Sequence, residues 1–362
     1  MRGKAAIVVT GLVVGALAII LMVAGNPANM GVCIACFLRD IAGGLGLHQA
    51  AKVQYIRPEI LGIVLGAFLT ALATREFKVL GGASALTRFV LGFAAMIGFL
   101  IFLGCPLRMV IRLAAGDLNA LVGFVGLAAG IALGVFFIGR GFTLGRARAQ
   151  APSNGYVFPL LVAGLLVLFL AVPSLFFLSK EGPGAQHAPL LLSLAAGLLV
   201  GALAQRSRLC FVGGIRDFLM FRDTYLLTGM ITIFLTALVG MLIIGKFHLG
   251  FTGQPIAHND GLYNFLGMAL AGLASTLLGG CPLRQLVSAA EGNTDSAITV
   301  LGLIAGAAFA HNFKIAAGPT GVPVAGQYTV FIALAAVLII AFGFSVVKAS
   351  VQGRVAGEQA SR

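Results

Sequence analysis

The five residues GCPLR at positions 104–108 occur again at positions 280–284, an offset of 176 residues. A second motif, Cys-x5-Arg-Asp, also occurs twice, beginning at Cys33 and at Cys210, an offset of 177 residues. One internal duplication therefore relates four of the five cysteines. In a chain that crosses a membrane, duplicated halves with matching polar motifs indicate a site shared between two repeats near the middle of the bilayer.

The composition of the chain is that of a protein embedded in a membrane. Of its 362 residues, 59% are hydrophobic and 10% are charged, whereas a soluble domain carries about 25% charged residues. Apolar runs long enough to cross a hydrocarbon core recur from end to end. The net charge of +13 comes from dispersed basic residues, largely at the ends of these runs, so it does not indicate a nucleic-acid partner.

Hydropathy predicts an all-α, polytopic membrane protein with about ten transmembrane spans plus short re-entrant helices. Two stretches, 26–58 and 205–224, are too polar to span and are predicted to line a cavity as short or re-entrant helices. The ten predicted spans are 5–24, 59–74, 85–103, 118–138, 157–178, 189–204, 225–245, 262–279, 297–313 and 328–347.

Loop charges predict the orientation of the chain. With the N-terminus inside, most loop arginines face the cytoplasm, whereas the outer loop at 180–187 carries one Lys and one Glu. Both termini are therefore expected in the cytoplasm. Residues 1–25 begin like a signal peptide, but no clear cleavage pattern ends them, so they are interpreted as the first span. The basic residues Arg39, Lys52 and Arg57 lie on the outer side against the charge rule, which makes them candidates for contact with an anion.

Each half of the chain holds five crossings, an odd number, so the second half should run through the membrane in the opposite sense to the first. This predicts two inverted-topology repeats around a central pathway. Cys33 and Cys105 would then face the outside, and Cys210 and Cys281 the cytoplasm. The predicted units are a first repeat at 1–150, a connecting span at 151–188, a second repeat with the last span at 189–348 and a cytoplasmic tail at 349–362, with a mid-chain linker at 140–155.

The repeated motifs combine a soft, polarisable thiol with a fixed positive charge that suits oxyanions. A proline follows Cys105 and Cys281 and interrupts the backbone ladder there; if a helix restarts at it, first-turn N–H groups would also point toward an anion. We therefore expect the motifs to bind a small anion with both oxygen and sulfur or selenium character. The predicted substrate-binding residues are Cys33, Cys105, Cys210, Cys281, Arg108, Arg284, Arg39 and Arg216.

The four arginines differ in their spacing from the cysteines. Arg108 and Arg284 follow by three residues, which places Cys and Arg on one face of a helix and predicts that these arginines lie beside the sulfur atoms. Snorkelling at span ends is the alternative. Arg39 and Arg216 follow by six, about 240° round a helix, so they reach the cysteines only if the segment bends. They are either anchors for the aspartates that follow them or guides for an anion.

The cysteines also allow simpler interpretations. A single buried cysteine usually acts as a small hydrophobe. Cys33-x2-Cys36 could instead be a redox pair or half of a metal site, but the second half has Gly213 where the first has Cys36. The five histidines are scattered and follow no ligand spacing, so neither a metal nor another cofactor is expected. No P-loop is visible, and ATP hydrolysis by this chain is not expected.

Four segments resemble the YeeE/YedE family of bacterial inner-membrane sulfur-compound transporters, and most closely its selenium-associated YedE branch; they are NPANMGVCIACFLRD (26–40), LGCPLRM (103–109), QRSRLCFVGGIRD (205–217) and GGCPLRQ (279–285). With the span layout, the resemblance covers nearly the whole chain. It implies an hourglass of inverted repeats in which central cysteines pass thiosulfate along the axis through S–H to sulfur hydrogen bonds. The matching positions are Cys33, Cys105 and Cys281, with Cys210 added by internal symmetry. Cys36 and the arginine-rich motifs set this chain apart, so the resemblance does not imply the same substrate.

Together these features predict a multi-pass transporter of the bacterial inner membrane, not an enzyme, that moves a small sulfur- or selenium-containing anion. Its expected partners are that anion, the lipid bilayer and a cytoplasmic sulfur- or selenium-carrier protein. The alternative is a membrane thiol redox or sulfur-transferring protein in which Cys33 or Cys36 forms a persulfide or disulfide with its cargo. A transporter should tolerate Cys→Ser in part and show no covalent adduct. A structural scaffold would leave the repeated Cys-Arg pairs unexplained.

Overall fold

A computed structural model describes the backbone of residues 3–360 and the side chains of residues 3–345. The described part is all-α apart from one two-stranded antiparallel ribbon, β1 (Leu80–Gly81) with β2 (Arg148–Ala149). The ten long helices are α1 (Lys4–Val23), α3 (Pro58–Ala73), α4 (Ala85–Phe102), α6 (Leu118–Gly139), α7 (Pro152–Ala171), α8 (Leu190–Ser207), α10 (Tyr225–Ile243), α11 (Gly261–Leu277), α13 (Thr294–Asn312) and α14 (Val324–Ala360). The four short helices are α2 (Ile34–Gly44), α5 (Pro106–Ala114), α9 (Phe211–Phe221) and α12 (Pro282–Ala290).

The predicted polytopic, all-α class is confirmed. Within the described residues, nine helical segments are long and apolar enough to cross a membrane, and α3, with 16 residues, is the shorter tenth helix that matches the second predicted span. Several helix ends differ from the predicted span ends; α7, for example, ends at Ala171 rather than at 178. Helix α7 begins five residues before its predicted span, because Pro152 suits the first turn of a helix, so the linker ends before 152. Helix α14 continues to Ala360 through most of the predicted tail, whose residues 361–362 lie outside the described part.

The four short helices lie where the backbone is broken next to a cysteine. Helix α4 ends at Phe102 and is capped by Leu103, whose φ of +64° is left-handed. Helix α5 then begins with Pro106 as its first residue. In the second half Gly279 takes the left-handed φ of +86° and α12 restarts at Pro282. Proline lacks the N–H that would be unpaired at this position anyway, so it starts a helix at little cost. Short helices therefore do begin at these two prolines, as the sequence allowed.

The packing of the helices repeats between the halves. When α1–α6 are matched in order to α8–α13, the contact of α3 with α8 becomes the contact of α10 with α1, and the structure contains both. The same exchange relates α6–α11 to α13–α4, and α5–α10 to α12–α3. Helix α4 packs on its own counterpart α11. This is the contact pattern expected of two repeats related by a pseudo-twofold axis. The inverted sense of the second repeat stays a prediction.

The centre of the bundle carries the Cys-Pro-Leu-Arg motifs. Of the most apolar 18 residues in Ala85–Ala114 and Gly261–Ala290, 89% and 83% are buried. The corresponding values for Pro152–Ala171 and Val324–Ser345 are 17% and 22%. Helices α4–α5 and α11–α12 therefore form the core, and α7 and α14 lie at the periphery.

We predict that Gly130→Ala lowers stability by about 1–3 kcal/mol, the usual cost of overpacking a core. A methyl group on Gly130 of α6 would collide with the backbone carbonyl oxygen of Ala269 in α11. Gly164→Ala in α7 is the matched control, because no atom lies within 4 Å of the added carbon and alanine favours a helix over glycine. Thermal unfolding of the purified variants in detergent measures the difference. Equal midpoints for the two variants would contradict the close α6–α11 contact.

Candidate functional site

The four repeated cysteines occupy the same structural position, each at the start of one of the four short helices. Cys33, Cys105, Cys210 and Cys281 are the N-cap residues of α2, α5, α9 and α12. All four are buried, so none of them faces lipid. The first-turn N–H groups of a helix have no partner within the helix, and the helix dipole makes that end favourable for negative charge. The duplication thus places a thiol beside the positive end of each short helix.

The first half of the chain contributes a group of three thiols and one guanidinium. The sulfur atoms of Cys33 and Cys105 are 3.8 Å apart, and the backbone N–H of Cys36 donates to the sulfur of Cys33 at 3.4 Å. Arg108 Nη1 donates to the sulfur of Cys36 at 3.6 Å. Cys36, which the duplication does not include, therefore joins the repeated cysteines and contacts Arg108, whereas the three-residue spacing predicted a place for Arg108 beside Cys105. We call Cys33, Cys36 and Cys105 the outer thiol group, after the side on which the sequence predicts them.

The second half contributes a pair. The sulfur of Cys210 accepts hydrogen bonds from the backbone N–H of Gly213 at 3.2 Å and of Cys281 at 3.4 Å. We call Cys210 and Cys281 the inner thiol pair. In each half, one cysteine comes from the Cys-x5-Arg-Asp motif and the other from the Cys-Pro-Leu-Arg motif. A single line of sulfur atoms through both groups stays a prediction.

Arg108 is a buried cation held entirely by uncharged groups. Its Nε donates to the carbonyl of Asn29 at 3.1 Å, its Nη2 to that of Ile256 at 3.0 Å, and its Nη1 also to that of Leu103. All three acceptors have left-handed φ values, of +56°, +50° and +64°, a strained backbone conformation that often marks functional sites. Within the described residues no carboxylate pairs with Arg108, whose side chain is 0% exposed. The outer thiol group therefore lies beside an uncompensated positive charge.

Arg284, the equivalent residue of the second half, has a carboxylate partner. Its Nη2 donates to Glu291 Oε2 at 3.0 Å. Its Nη1 is buried and has no hydrogen-bond partner in the described part of the chain. A carbon added to Gly280 would lie 2.9 Å from Cγ of Arg284 and 3.7 Å from the sulfur of Cys210. The Arg284 side chain and the sulfur of Cys210 therefore flank the same glycine, and one guanidinium nitrogen of Arg284 has an unused donor within the described residues.

The Cys-x5-Arg-Asp arginines pair with the aspartates that follow them. Arg39 donates from Nε and Nη2 to Asp40 Oδ1 at 3.0 and 2.7 Å, and Arg216 donates from Nε to Asp217 Oδ1 at 2.8 Å. Both motifs lie in uninterrupted helices, so the bend required to bring these arginines to the cysteines is absent from α2 and α9. Of the two roles left open by the sequence, this geometry favours the anchor.

The outer-side basic residues are paired with acids, which argues against the expectation that they contact an anion directly. Arg57 donates from Nε to Asp40 Oδ2 at 2.7 Å, and both side chains are fully buried. The same carboxylate thus holds Arg39 and Arg57. Lys52 lies 3.5 Å from Glu181 at the exposed surface. Loop charge alone could not distinguish a neutralised cation from a free one.

Sequence reasoning missed a buried ion pair and an outer cavity. Arg112 Nε donates to Asp117 Oδ2 at 2.6 Å, with both side chains fully buried; the only signal was an Asp at the start of α6, five residues after an Arg. A cavity of about 510 Å³ lies near the end of α1 and is lined partly by Asn26, Asn29 and Lys246. Asn29, which lines this cavity, also accepts a hydrogen bond from Arg108 through its carbonyl.

The fold and these buried half-helices define a multi-pass, all-α membrane protein. Residues 206–360 match the family described as sulphur transport, in agreement with the resemblance seen in the motifs. A stretch of 101 residues is 32% identical to the thiosulfate transporter TsuA of Spirochaeta thermophila. That match covers 28% of this chain and 30% of the relative, so the similarity spans less than a third of either protein.

Proposed function

We propose that the protein transports a small sulfur-containing anion, of the thiosulfate type or its selenium analogue, across the bacterial inner membrane. The observation that carries the proposal is the set of four buried cysteines at helix N-termini, with Arg108 beside them as an uncompensated cation. A buried charge is costly unless it is paired, and in membranes such groups usually mark a pathway. The family match and the name of the relative support the same class of cargo.

The proposed pathway begins at the outer cavity beside Asn29 and Lys246. The anion passes Arg108 and enters the outer thiol group, whose S–H groups donate to its sulfur while backbone N–H groups donate to its oxygens. It continues to the inner thiol pair and Arg284, and leaves on the cytoplasmic side, where a carrier protein receives it. The two inverted repeats supply the matched halves of this route.

Uptake into proteoliposomes tests the proposal. The purified full-length protein is reconstituted, and entry of labelled thiosulfate, sulfite, selenite and sulfate is measured against protein-free vesicles. We expect thiosulfate or a selenium-containing anion to enter faster than sulfate, because sulfate offers the thiols no soft terminal atom. If none of these anions enters faster than into protein-free vesicles, the proposed function is wrong.

The proposed orientation has its own test. Both termini are expected in the cytoplasm and the loop at 180–187 outside, because basic residues concentrate in the loops assigned to the cytoplasmic side. Reporter fusions after Arg362 and near Gly184 should give cytoplasmic and periplasmic signals respectively. A periplasmic C-terminus would require an odd number of crossings and would contradict the inverted repeats.

A further inference from the structure

A chain of ion pairs joins the ends of α3, α8 and α12. Arg208, which follows α8, donates to Glu76 Oε2 at 2.8 Å and to Glu291 Oε1 at 2.5 Å. The other oxygen of Glu291 accepts from Arg284 at 3.0 Å. The chain therefore connects loops that are distant in sequence directly to the arginine beside the inner thiol pair.

The two ends of this chain differ in exposure. The side chain of Arg206, which also pairs with Glu76, is 50% exposed, and those of Arg208 and Glu76 are 35% and 28% exposed. At the other end Glu291 and Arg284 are 11% and 19% exposed, and Arg284 flanks Gly280 together with the sulfur of Cys210. Glu291 is the carboxylate that reaches the site itself.

The first half has no equivalent of this carboxylate. By the offset of 176 residues, the position of Glu291 corresponds to Ala115, which also follows the short helix of its half. Arg108 is accordingly held by carbonyl groups, whereas Arg284 is held by a negative charge. The duplication preserved the thiols and the arginines, but among the residues that the structure describes only the inner arginine is paired with a carboxylate.

We infer that Glu291 acts as a built-in competitor of the transported anion at Arg284 and promotes its release on the inner side. The open Nη1 of Arg284 offers the cargo a donor, while the carboxylate on Nη2 neutralises the guanidinium and repels a second negative charge. The outer site, with its uncompensated cation, holds the same anion more tightly. The weaker binding at the inner site shortens the time the anion spends there and so speeds its release from that site. The inference rests on the proposed function.

Glu291→Gln tests this role, because it keeps the shape of the side chain and removes its charge, although only one of the two arginine hydrogen bonds can remain. In titration calorimetry on the detergent-purified full chain, we expect the variant to bind thiosulfate about tenfold more tightly at the weaker, inner site, and we expect it to deliver the anion more slowly into proteoliposomes. Glu76→Gln is the matched control: it removes a carboxylate from the same chain of ion pairs without touching Arg284, and its affinity should stay within about twofold of the wild type. Should the Gln variant fail to fold, Glu291→Asp, which withdraws the carboxylate by one methylene group, is expected to raise affinity by about two- to threefold.

The outcomes separate the two proposals. Wild-type protein that neither binds nor takes up any anion of the panel would overturn the proposed function itself. Wild-type protein that binds thiosulfate, with folded Glu291 variants of equal or weaker affinity, would overturn the competitor role alone. If Glu76→Gln and Glu291→Gln raise the affinity for thiosulfate equally, the cause is a general effect of charge. That result would also overturn the competitor role of Glu291.

Discussion

Replacement of Cys105 by alanine is expected to reduce thiosulfate uptake about ten- to hundredfold while leaving the protein folded. The Cys105 sulfur lies 3.8 Å from that of Cys33 at the start of α5. A hydrogen bond to a charged group is worth about 1.5–3 kcal/mol, and each 1.4 kcal/mol corresponds to about tenfold. Cys105→Ser keeps a donor and should retain an intermediate rate. Initial uptake rates at matched protein levels provide the measurement.

Intact-mass analysis separates this result from the redox alternative. During transport through hydrogen bonds, wild-type protein incubated with thiosulfate should keep its unmodified mass, and the serine variant should retain partial function. A persulfide or disulfide adduct on Cys33 or Cys36, together with complete loss of function in Cys→Ser variants, would contradict the transport mechanism and support sulfur transfer instead.

Asp40→Asn is expected to destabilise the protein by about 3–5 kcal/mol, the usual cost of leaving a buried ion pair without one partner. The Asp40 carboxylate holds both Arg39 and Arg57, and all three side chains are buried. The duplication offers a matched control, Asp217→Asn, at the equivalent position. Arg216 and Asp217 are 25% and 20% exposed, so this change should cost no more than about 1 kcal/mol.

Thermal unfolding in detergent and the yield of monodisperse protein measure the two variants side by side. A large loss for Asp40→Asn with a small loss for Asp217→Asn is the expected pattern. Equal losses would mean that Asp40 does not hold two buried arginines in place, and that those arginines are again candidates for contact with the anion.

The helices and the breaks between them could be predicted from the sequence because both depend on local chemistry. Apolar length predicted the ten long helices, and Pro106 and Pro282 predicted where short helices restart, since proline suits the first turn. The internal offset predicted that four cysteines occupy equivalent positions in the two halves of the chain. The three-residue spacing placed Arg108 near sulfur, although its sulfur neighbour is Cys36 rather than Cys105.

The partners of the charged residues could not be predicted, because they are separated by long stretches of chain. Arg208 meets Glu76 across 132 residues and Glu291 across 83 residues. Arg57 looked like an outer cation free to meet an anion, but it is neutralised by Asp40 from another helix. Such pairings depend on how helices pack, and neither hydropathy nor loop charge contains that information.

The most direct test of the central claim is to locate the anion in a structure of the protein with bound selenosulfate, using the selenium atom as the marker. The account predicts selenium within hydrogen-bonding distance of the sulfur atoms of Cys33 and Cys105 or of Cys210 and Cys281, without a covalent bond to any of them. Selenium found only at the lipid-facing surface, or at sites that contact none of these four cysteines, would contradict it.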